Sequence, residues 1–153
     1  MSKHKIYIAG SFIAERERKS LEHMIELVRK RHPNSELYIP MEHKVDGDYQ
    51  KPDGTWVLSN PAWAQCVFFM DIEGIQDADK VIAMYTGHFG TTGTSWEIGY
   101  AYGIGKPITL YIPEWAKEEN ASLMVLNSTF SYLDEEGNEH GINKSWLEQF
   151  NQK

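Results

Sequence analysis

A glutamate that follows a glycine-rich segment is the residue of this sequence best suited to chemistry. The segment Gly87 to Gly93 is followed four residues later by Glu97. On spacing alone, Thr94-Ser95-Trp96-Glu97 is a capping box, in which the glutamate bonds back to the start of its helix. Alternatively, a carboxylate in the first turn of a helix stays ionised because the dipole favours its charge, and it can attack an anomeric carbon. Spacing does not choose between these roles.

Asp71 and Tyr7 are two further candidates. Asp71 follows the apolar residues Phe68 to Met70, so it is either a carboxylate on a helix surface or an acid that faces a pocket. Partial burial would raise its pKa and suit it to sharing a proton with a leaving group. Tyr7 lies within a short apolar run, so we expect a core residue whose hydroxyl needs a partner.

The sequence lacks the residue patterns that are typical of metal binding, nucleoside triphosphate hydrolysis and dinucleotide binding. No pair among the six histidines has helical metal-ligand spacing, and a single cysteine leaves no zinc signature. We therefore expect neither a metal nor a cofactor, and we expect Cys66 to be a packed thiol on an apolar helix face. Backbone N–H groups of the glycine-rich segment could hold an anion. The segment lacks the lysine of an NTPase phosphate loop, and no dinucleotide-type glycine spacing follows the first strand.

The elements that must position these residues alternate between strands and helices. The predicted strands are 6–9, 37–39, 81–84, 108–112 and 130–133, and the predicted helices are 15–31, 63–75, one from the glycine-rich segment to about 103, and 146–150. Residues 41–61 are expected to form a long loop. This order predicts a single α/β domain over 1–153, a three-layer sandwich with a central parallel sheet. Ligands bind such sheets at the carboxyl ends of the strands, where Gly10-Ser11-Phe12 and Tyr85 to Gly93 stand.

Composition restricts the partners and the compartment. The chain of 153 residues has a formal net charge of -7, which argues against a nucleic-acid polymer as partner. Basic residues between Arg16 and Arg31 alternate with glutamates, as on a solvated helix face with ion pairs. No apolar stretch is long enough to span a bilayer. With one cysteine and no signal peptide, a cytoplasmic location is expected.

Three segments, taken in order, resemble the nucleoside 2-deoxyribosyltransferase family. They are 5–12, 63–75 and 93–107, and the likeness extends over roughly residues 5 to 126. The resemblance implies a flavodoxin-like fold and a retaining, two-step mechanism. In that mechanism Glu97 takes the deoxyribose as a covalent ester while the base leaves, and a second base, or water, then attacks the ester.

The resemblance also implies roles for other residues. Tyr7 matches the tyrosine that orients the nucleophile, and Asp71 matches the acid near the departing base. Members of the family are homo-oligomers, and the segment that matches 122–124 reaches into a neighbouring site. The expected substrate-binding residues, with Phe12 and Trp63 against the base, are Gly10, Ser11, Phe12, Trp63, Thr91, Gly93, Ser122 and Met124.

Departures from the family pattern leave the substrate open. Transferases usually carry an acid at the position of Thr91 and an asparagine at that of Ser122, both serving the sugar 5′-hydroxyl. Hydroxyl residues there can donate to a phosphate, and the related deoxynucleoside 5′-monophosphate N-glycosidases look similar at these positions. Gly10-Ser11 and Arg16 also resemble that branch, and the tail 149–153 lacks the tyrosine end of the transferases.

The expected function is therefore exchange of bases between 2′-deoxynucleosides. The loop up to Pro61 and the helix of Trp63 resemble the transferases, while His43 and Lys44 stand where a base-reading glutamine is usual and leave the base preference open. The alternative is hydrolysis of a deoxynucleoside 5′-monophosphate to the free base. A third possibility, from another class, is a nucleotide-binding sensor without turnover, in which Glu97 is only a cap.

Overall fold

A six-stranded sheet forms the centre of the computed structural model, which describes residues 2–43, 61–87, 91–117 and 122–142. The strands are β1 Lys5–Ala9, β2 Glu36–Tyr38, β3 Lys80–Met84, β4 Ile108–Tyr111, β5 Ser131–Leu133 and β6 Glu139–Gly141. The helices are α1 Glu15–Arg31, α2 Pro61–Asp77, α3 Thr92–Gly103 and α4 Leu123–Asn127, with 3-10 turns at Pro40–Glu42 and Glu114–Ala116.

The strand order is β2-β1-β3-β4-β5-β6, and the first five strands are parallel. This is a flavodoxin-like order, with the change of direction between β1 and β3, where such folds bind ligands. The predicted α/β sandwich is therefore confirmed. Only β6 runs antiparallel, against β5.

The two faces of the sheet carry separate apolar clusters because successive strand residues point to opposite sides. Ile6 and Ile8 of β1 pack with α1 residues such as Met24. Tyr7 and Ala9 pack on the other face, in a cluster that includes residues of α2 and α3. Helices therefore cover both faces, and Tyr7 points toward α2 and α3.

The predicted elements agree closely with the observed ones, and α1 matches to the residue. The sequence did not predict α4 or β6, because α4 is an apolar run too short to show helical periodicity and β6 has only three residues and no apolar side chain. The predicted helix 146–150 and most of the predicted loop 41–61 lie outside the described residues. No helix within the described ranges is both long and apolar enough to cross a membrane.

Two residues are placed differently from the sequence expectation. The α1 surface does carry ion pairs, with the Lys19 ammonium 2.8 Å from the Glu15 carboxylate. Glu17, however, is 6% exposed, because its carboxylate accepts hydrogen bonds from Ser11 Oγ at 2.7 Å and Thr86 Oγ1 at 3.4 Å. The prediction of a packed Cys66 thiol is wrong: it lies on the exposed side of α2.

Gly74 permits α2 to lie directly against the ring of Tyr38. A Cβ atom at this position would stand 2.9 Å from two ring carbons of Tyr38. Any side chain at position 74 would therefore force the ring, or the helix, to move. At Gly99 in α3, by contrast, a Cβ would meet nothing within 4 Å.

These two helical glycines should respond in opposite ways to substitution by alanine. Alanine in a helix interior is favoured over glycine by about 1 kcal/mol, so Gly99→Ala should raise the free energy of unfolding by about that amount. Gly74→Ala should lower it by about 1–3 kcal/mol, because overpacking outweighs the helix propensity. Urea denaturation measures both, and an equal gain for the two variants would contradict the close packing on Tyr38.

Candidate active site

A hydrogen bond between Tyr7 and Glu97 is the centre of the candidate site. The Tyr7 hydroxyl donates to Glu97 Oε1 at 2.7 Å. Tyr7 is fully buried in the middle of the sheet, and its side chain projects from β1 toward α3. The expectation that the tyrosine hydroxyl needs a partner is met by the carboxylate predicted to carry chemistry.

The capping-box interpretation of Glu97 is wrong. Helix α3 begins at Thr92 with Thr91 as its N-cap, so Glu97 lies in the second turn rather than the first. The charge effect of a helix end fades within the first turn, so it does not govern this carboxyl. Burial raises the pKa of Glu97 to about 7. The hydrogen bond from Tyr7 lowers this pKa, and the negative charge of Asp71 raises it further. The expectation of a carboxylate held ionised by the dipole is corrected accordingly.

Asp71 faces Glu97 from α2. It is partly buried, and burial raises its pKa to about 6, while the Tyr38 hydroxyl and the nearby His43 lower it. Tyr38 Oη donates to Asp71 Oδ1 at 3.4 Å. The sequence expectation for a partly buried acid, a raised pKa, is met.

The two carboxyl groups open into one cavity of about 310 Å³. Apolar and aromatic side chains form most of its wall, and the lining residues are Phe68, Asp71, Ile72, Ile75, Gly93, Trp96 and Glu97. Apolar cavities of this size with a few polar groups are typical of small-molecule sites. Because both pKa values lie near neutrality, this pair can hold or release a proton at physiological pH.

The structure brings together Tyr7, Asp71, Gly93 and Glu97, and it places the other predicted residues around them. Thr91 is buried at the start of α3, and Ser11 is buried beside Glu17. Gly10 fits closely against Leu21 and Met84. Phe12 packs against the cluster on the α1 face, and Trp63 is a partly buried residue of the first α2 turn outside the cavity lining.

Ser122 and Met124 are not brought to the Glu97 cavity within one chain. They line a separate depression of about 330 Å³ between α3 and α4. Met124 and its neighbour Leu123 are 79% and 77% exposed. Their side chains are therefore available to contact another molecule.

Sequence reasoning missed Tyr38, Phe68 and Trp96 as residues of this region. Tyr38 is the register partner of Tyr7 on the adjacent strand, so the signal was a tyrosine at matching positions of the first two strands. Phe68 and Trp96 resemble core residues in sequence, yet both are about half exposed, and their ring centroids lie 5.5 Å apart at the cavity.

Within the described ranges, no group of three or more histidine, cysteine, aspartate or glutamate residues is arranged to hold a metal ion.

Fold and site together define an α/β domain with an acidic, aromatic-lined pocket between α2 and α3. The sequence model of the family described as nucleoside 2-deoxyribosyltransferase matches residues 6–143. The chain belongs to this family.

Individual relatives are similar at lower levels. A nucleoside deoxyribosyltransferase of Lactobacillus leichmannii is 26% identical over 117 residues, covering 74% of this chain and 73% of the relative. The 2-deoxyribosyltransferase structure from Bacillus psychrosaccharolyticus has a TM-score of 0.68 and 27% identity, with 85% of each chain covered. A CMP N-glycosidase of Clostridium botulinum, at a TM-score of 0.50 and 21% identity over 96% of this chain and 98% of that one, is similar in fold alone.

The raised pKa of Glu97 implies that the free energy of unfolding depends on pH. The folded-state pKa of about 7 exceeds the ordinary 4.5, so stability is lost as pH rises from the lower value through the higher one. Glu97→Gln keeps an acceptor for Tyr7 but carries no charge. It should therefore raise the free energy of unfolding by roughly 2 kcal/mol near pH 8 and have little effect near pH 5.

Denaturation of Glu97→Gln at the two pH values measures this difference. The matched control is Glu26→Gln on the exposed surface of α1, for which we expect no pH-dependent gain. A Glu97→Gln variant that gains nothing at the higher pH would show that the carboxyl is not destabilised by burial.

Proposed function

We propose that the protein is a nucleoside deoxyribosyltransferase, which cleaves the N-glycosidic bond of a 2′-deoxynucleoside and transfers the sugar to another nucleobase. The observation that carries the proposal is the 2.7 Å hydrogen bond from Tyr7 to Glu97, with Asp71 in the same cavity. Membership of the family supports the same chemistry.

In the first step, an ionised Glu97 oxygen attacks C1′ of the deoxyribose. The C1′–N bond breaks, its electron pair leaves with the base, and an ester forms between the sugar and Glu97. The Tyr7 hydroxyl holds one carboxylate oxygen, which leaves the other oriented toward the sugar. The reactive form carries the pair's single proton on Asp71, which gives it to the departing base nitrogen. With a pKa of about 6 for Asp71 and about 7 for Glu97, this is the less populated of the two singly protonated forms.

In the second step, a nitrogen of the incoming base attacks C1′ and expels the Glu97 carboxylate. Asp71, now ionised, takes the proton that this nitrogen loses. Two displacements at one carbon retain its configuration. The raised pKa of Asp71, about 6, suits both proton transfers because the group gains and loses a proton near neutral pH.

Hydrolysis of a deoxynucleoside 5′-monophosphate is the second candidate, supported by the hydroxyl side chains of Thr91 and Ser122. The surroundings of Ser11 oppose it. The Ser11 hydroxyl already donates a hydrogen bond to the buried Glu17 carboxylate at 2.7 Å. This carboxylate would repel a phosphate. The Arg16 guanidinium lies 3.9 Å from the Trp115 ring centroid, a cation–π contact that uses its face and does not by itself prevent its N–H groups from binding a phosphate. A free 5′-hydroxyl fits these surroundings better.

One chromatographic experiment separates these candidates. The protein is incubated with a 2′-deoxynucleoside, or its 5′-monophosphate, with and without a different free base. We expect the new nucleoside to form only when both nucleoside and foreign base are present. Glu97→Ala should lower the rate by at least about a thousandfold, because the nucleophile is lost, whereas Glu26→Ala should leave it unchanged.

The other outcomes identify the alternatives. Steady release of base from the monophosphate without exchange would establish the hydrolase. Nucleotide binding without turnover, and without a sugar adduct on Glu97 after incubation with a 2′-fluorinated nucleoside, would establish the sensor.

A second copy of the chain is the partner that we infer for the exposed apolar surface of α2, α3 and α4. Leu123 and Met124 are its most exposed members, and Phe69 and Tyr102 are also more than half exposed. Tyr102 and Met124 line the same depression between α3 and α4, and exposed apolar side chains that lie together are typical of an interface. A neighbouring copy would complete the site if its 122–124 segment reached this chain's cavity.

Charge placed in this surface should separate the subunits. Leu123→Asp combined with Met124→Asp is expected to lower the oligomer mass measured by light scattering, because an unpaired charge cannot be buried without a large cost. It should also lower base exchange at least about tenfold, as a lost positioning contact does. Tyr132→Ser, on β5 and 46% exposed, is the control that should change neither. Unchanged mass in the double variant would contradict the interface.

A further inference from the structure

We propose that Tyr38 is a positioning residue, which holds the Asp71 carboxyl in the cavity from the strand next to that of Tyr7. The inference rests on the proposed function, because it concerns the acid that serves the departing base. Tyr38 would act through Asp71 and not on the substrate.

The Tyr38 ring is fixed on several sides. Its centroid lies 5.3 Å from that of Tyr7, with the planes 11° apart, and 4.2 Å from that of His43, with the planes 9° apart. The backbone of Gly74 closes a further side, since a Cβ there would meet the ring at 2.9 Å. A ring confined in this way loses little entropy when its hydroxyl forms a hydrogen bond.

The two stacked tyrosines donate hydrogen bonds to two different carboxyl groups. Tyr7 donates to Glu97 at 2.7 Å, and Tyr38 donates to Asp71 Oδ1 at 3.4 Å. Parallel pairing of β1 with β2 puts the two tyrosines at the same level of the sheet. The Tyr38 bond is long in the free protein, and catalytic hydrogen bonds of this kind commonly shorten when ligand binds.

If Tyr38 served only to pack the core, its hydroxyl would not be needed. The hydrogen bond from this hydroxyl to Asp71 therefore indicates a positioning role. A phenylalanine at position 38 would keep both stacking contacts and the contact with Gly74. It would remove only the donor to Asp71. The substitution Tyr38→Phe therefore tests the hydroxyl alone.

The consequence is a shift in the titration of Asp71. A donor to the charged form lowers the pKa of a carboxyl, and the Tyr38 hydroxyl has that effect on Asp71. Removing it should raise the pKa of Asp71. The titratable groups around Asp71 and Tyr38 are Tyr7 from β1, Glu97 from α3, His43 after the 3-10 turn, and Glu73 from α2 itself; all stay in place in Tyr38→Phe.

The decisive measurement is a carboxyl ¹³C NMR titration of Asp71, assigned with Asp71→Asn, in the wild type and in Tyr38→Phe without substrate. We expect the pKa of Asp71 to rise by about half a unit or more. The pH profile of kcat/KM should change as well, because Asp71 then stays protonated to a higher pH. Tyr132→Phe, a tyrosine on β5, should shift neither.

Coincident titration curves for the wild type and Tyr38→Phe would overturn the positioning role. That result is distinct from failure of the proposed function, which would appear as a wild-type protein that neither exchanges nor releases bases. Gly74→Ala provides a second approach, because a Cβ there forces the ring or α2, which carries Asp71, to move away from the other without removing the hydroxyl. It should also raise the pKa of Asp71, and an unchanged pKa would again contradict the proposal.

Discussion

The hydrogen bond from Tyr7 to Glu97 is the interaction on which the arrangement of the site depends. It joins the central strand β1 to α3 through a tyrosine that has no exposed surface. A buried carboxyl is costly unless a donor satisfies it. The donor here comes from a fully buried residue of a strand that is paired on both sides, so the position of the glutamate follows from the packing of the sheet.

Burial and hydrogen bonding act in opposite directions on both carboxyl groups. Burial raises the pKa of Glu97 and of Asp71, while a tyrosine hydroxyl lowers each one. Asp71 also raises the pKa of Glu97 through its charge. The balance places both groups near neutrality, where one can be ionised while the other keeps a proton. The same surroundings that destabilise these charges in the folded protein are what fit the pair for proton transfer.

The parts of the fold with strong periodicity were predictable from sequence. Helix α1 has a clear apolar face, and β1 and β3 are continuous apolar runs buried on both sides. The site was predictable only in part, because Tyr38 joins it through strand pairing, which no local pattern encodes. Burial of Glu17 likewise depends on hydroxyl groups from two distant segments. The start of α3 was misplaced because a capping-box spacing occurs inside the helix.

The register of the parallel strands β1 and β2 fixes the positions of the two tyrosines relative to each other. Tyr38 points to the α2–α3 face while its neighbour Leu37 packs on the α1 face. A slip of one residue along this ladder would exchange the two sides, turning a leucine toward the acid and burying the phenol under α1. One extra residue inside the three-residue strand would therefore disconnect the acid from its donor.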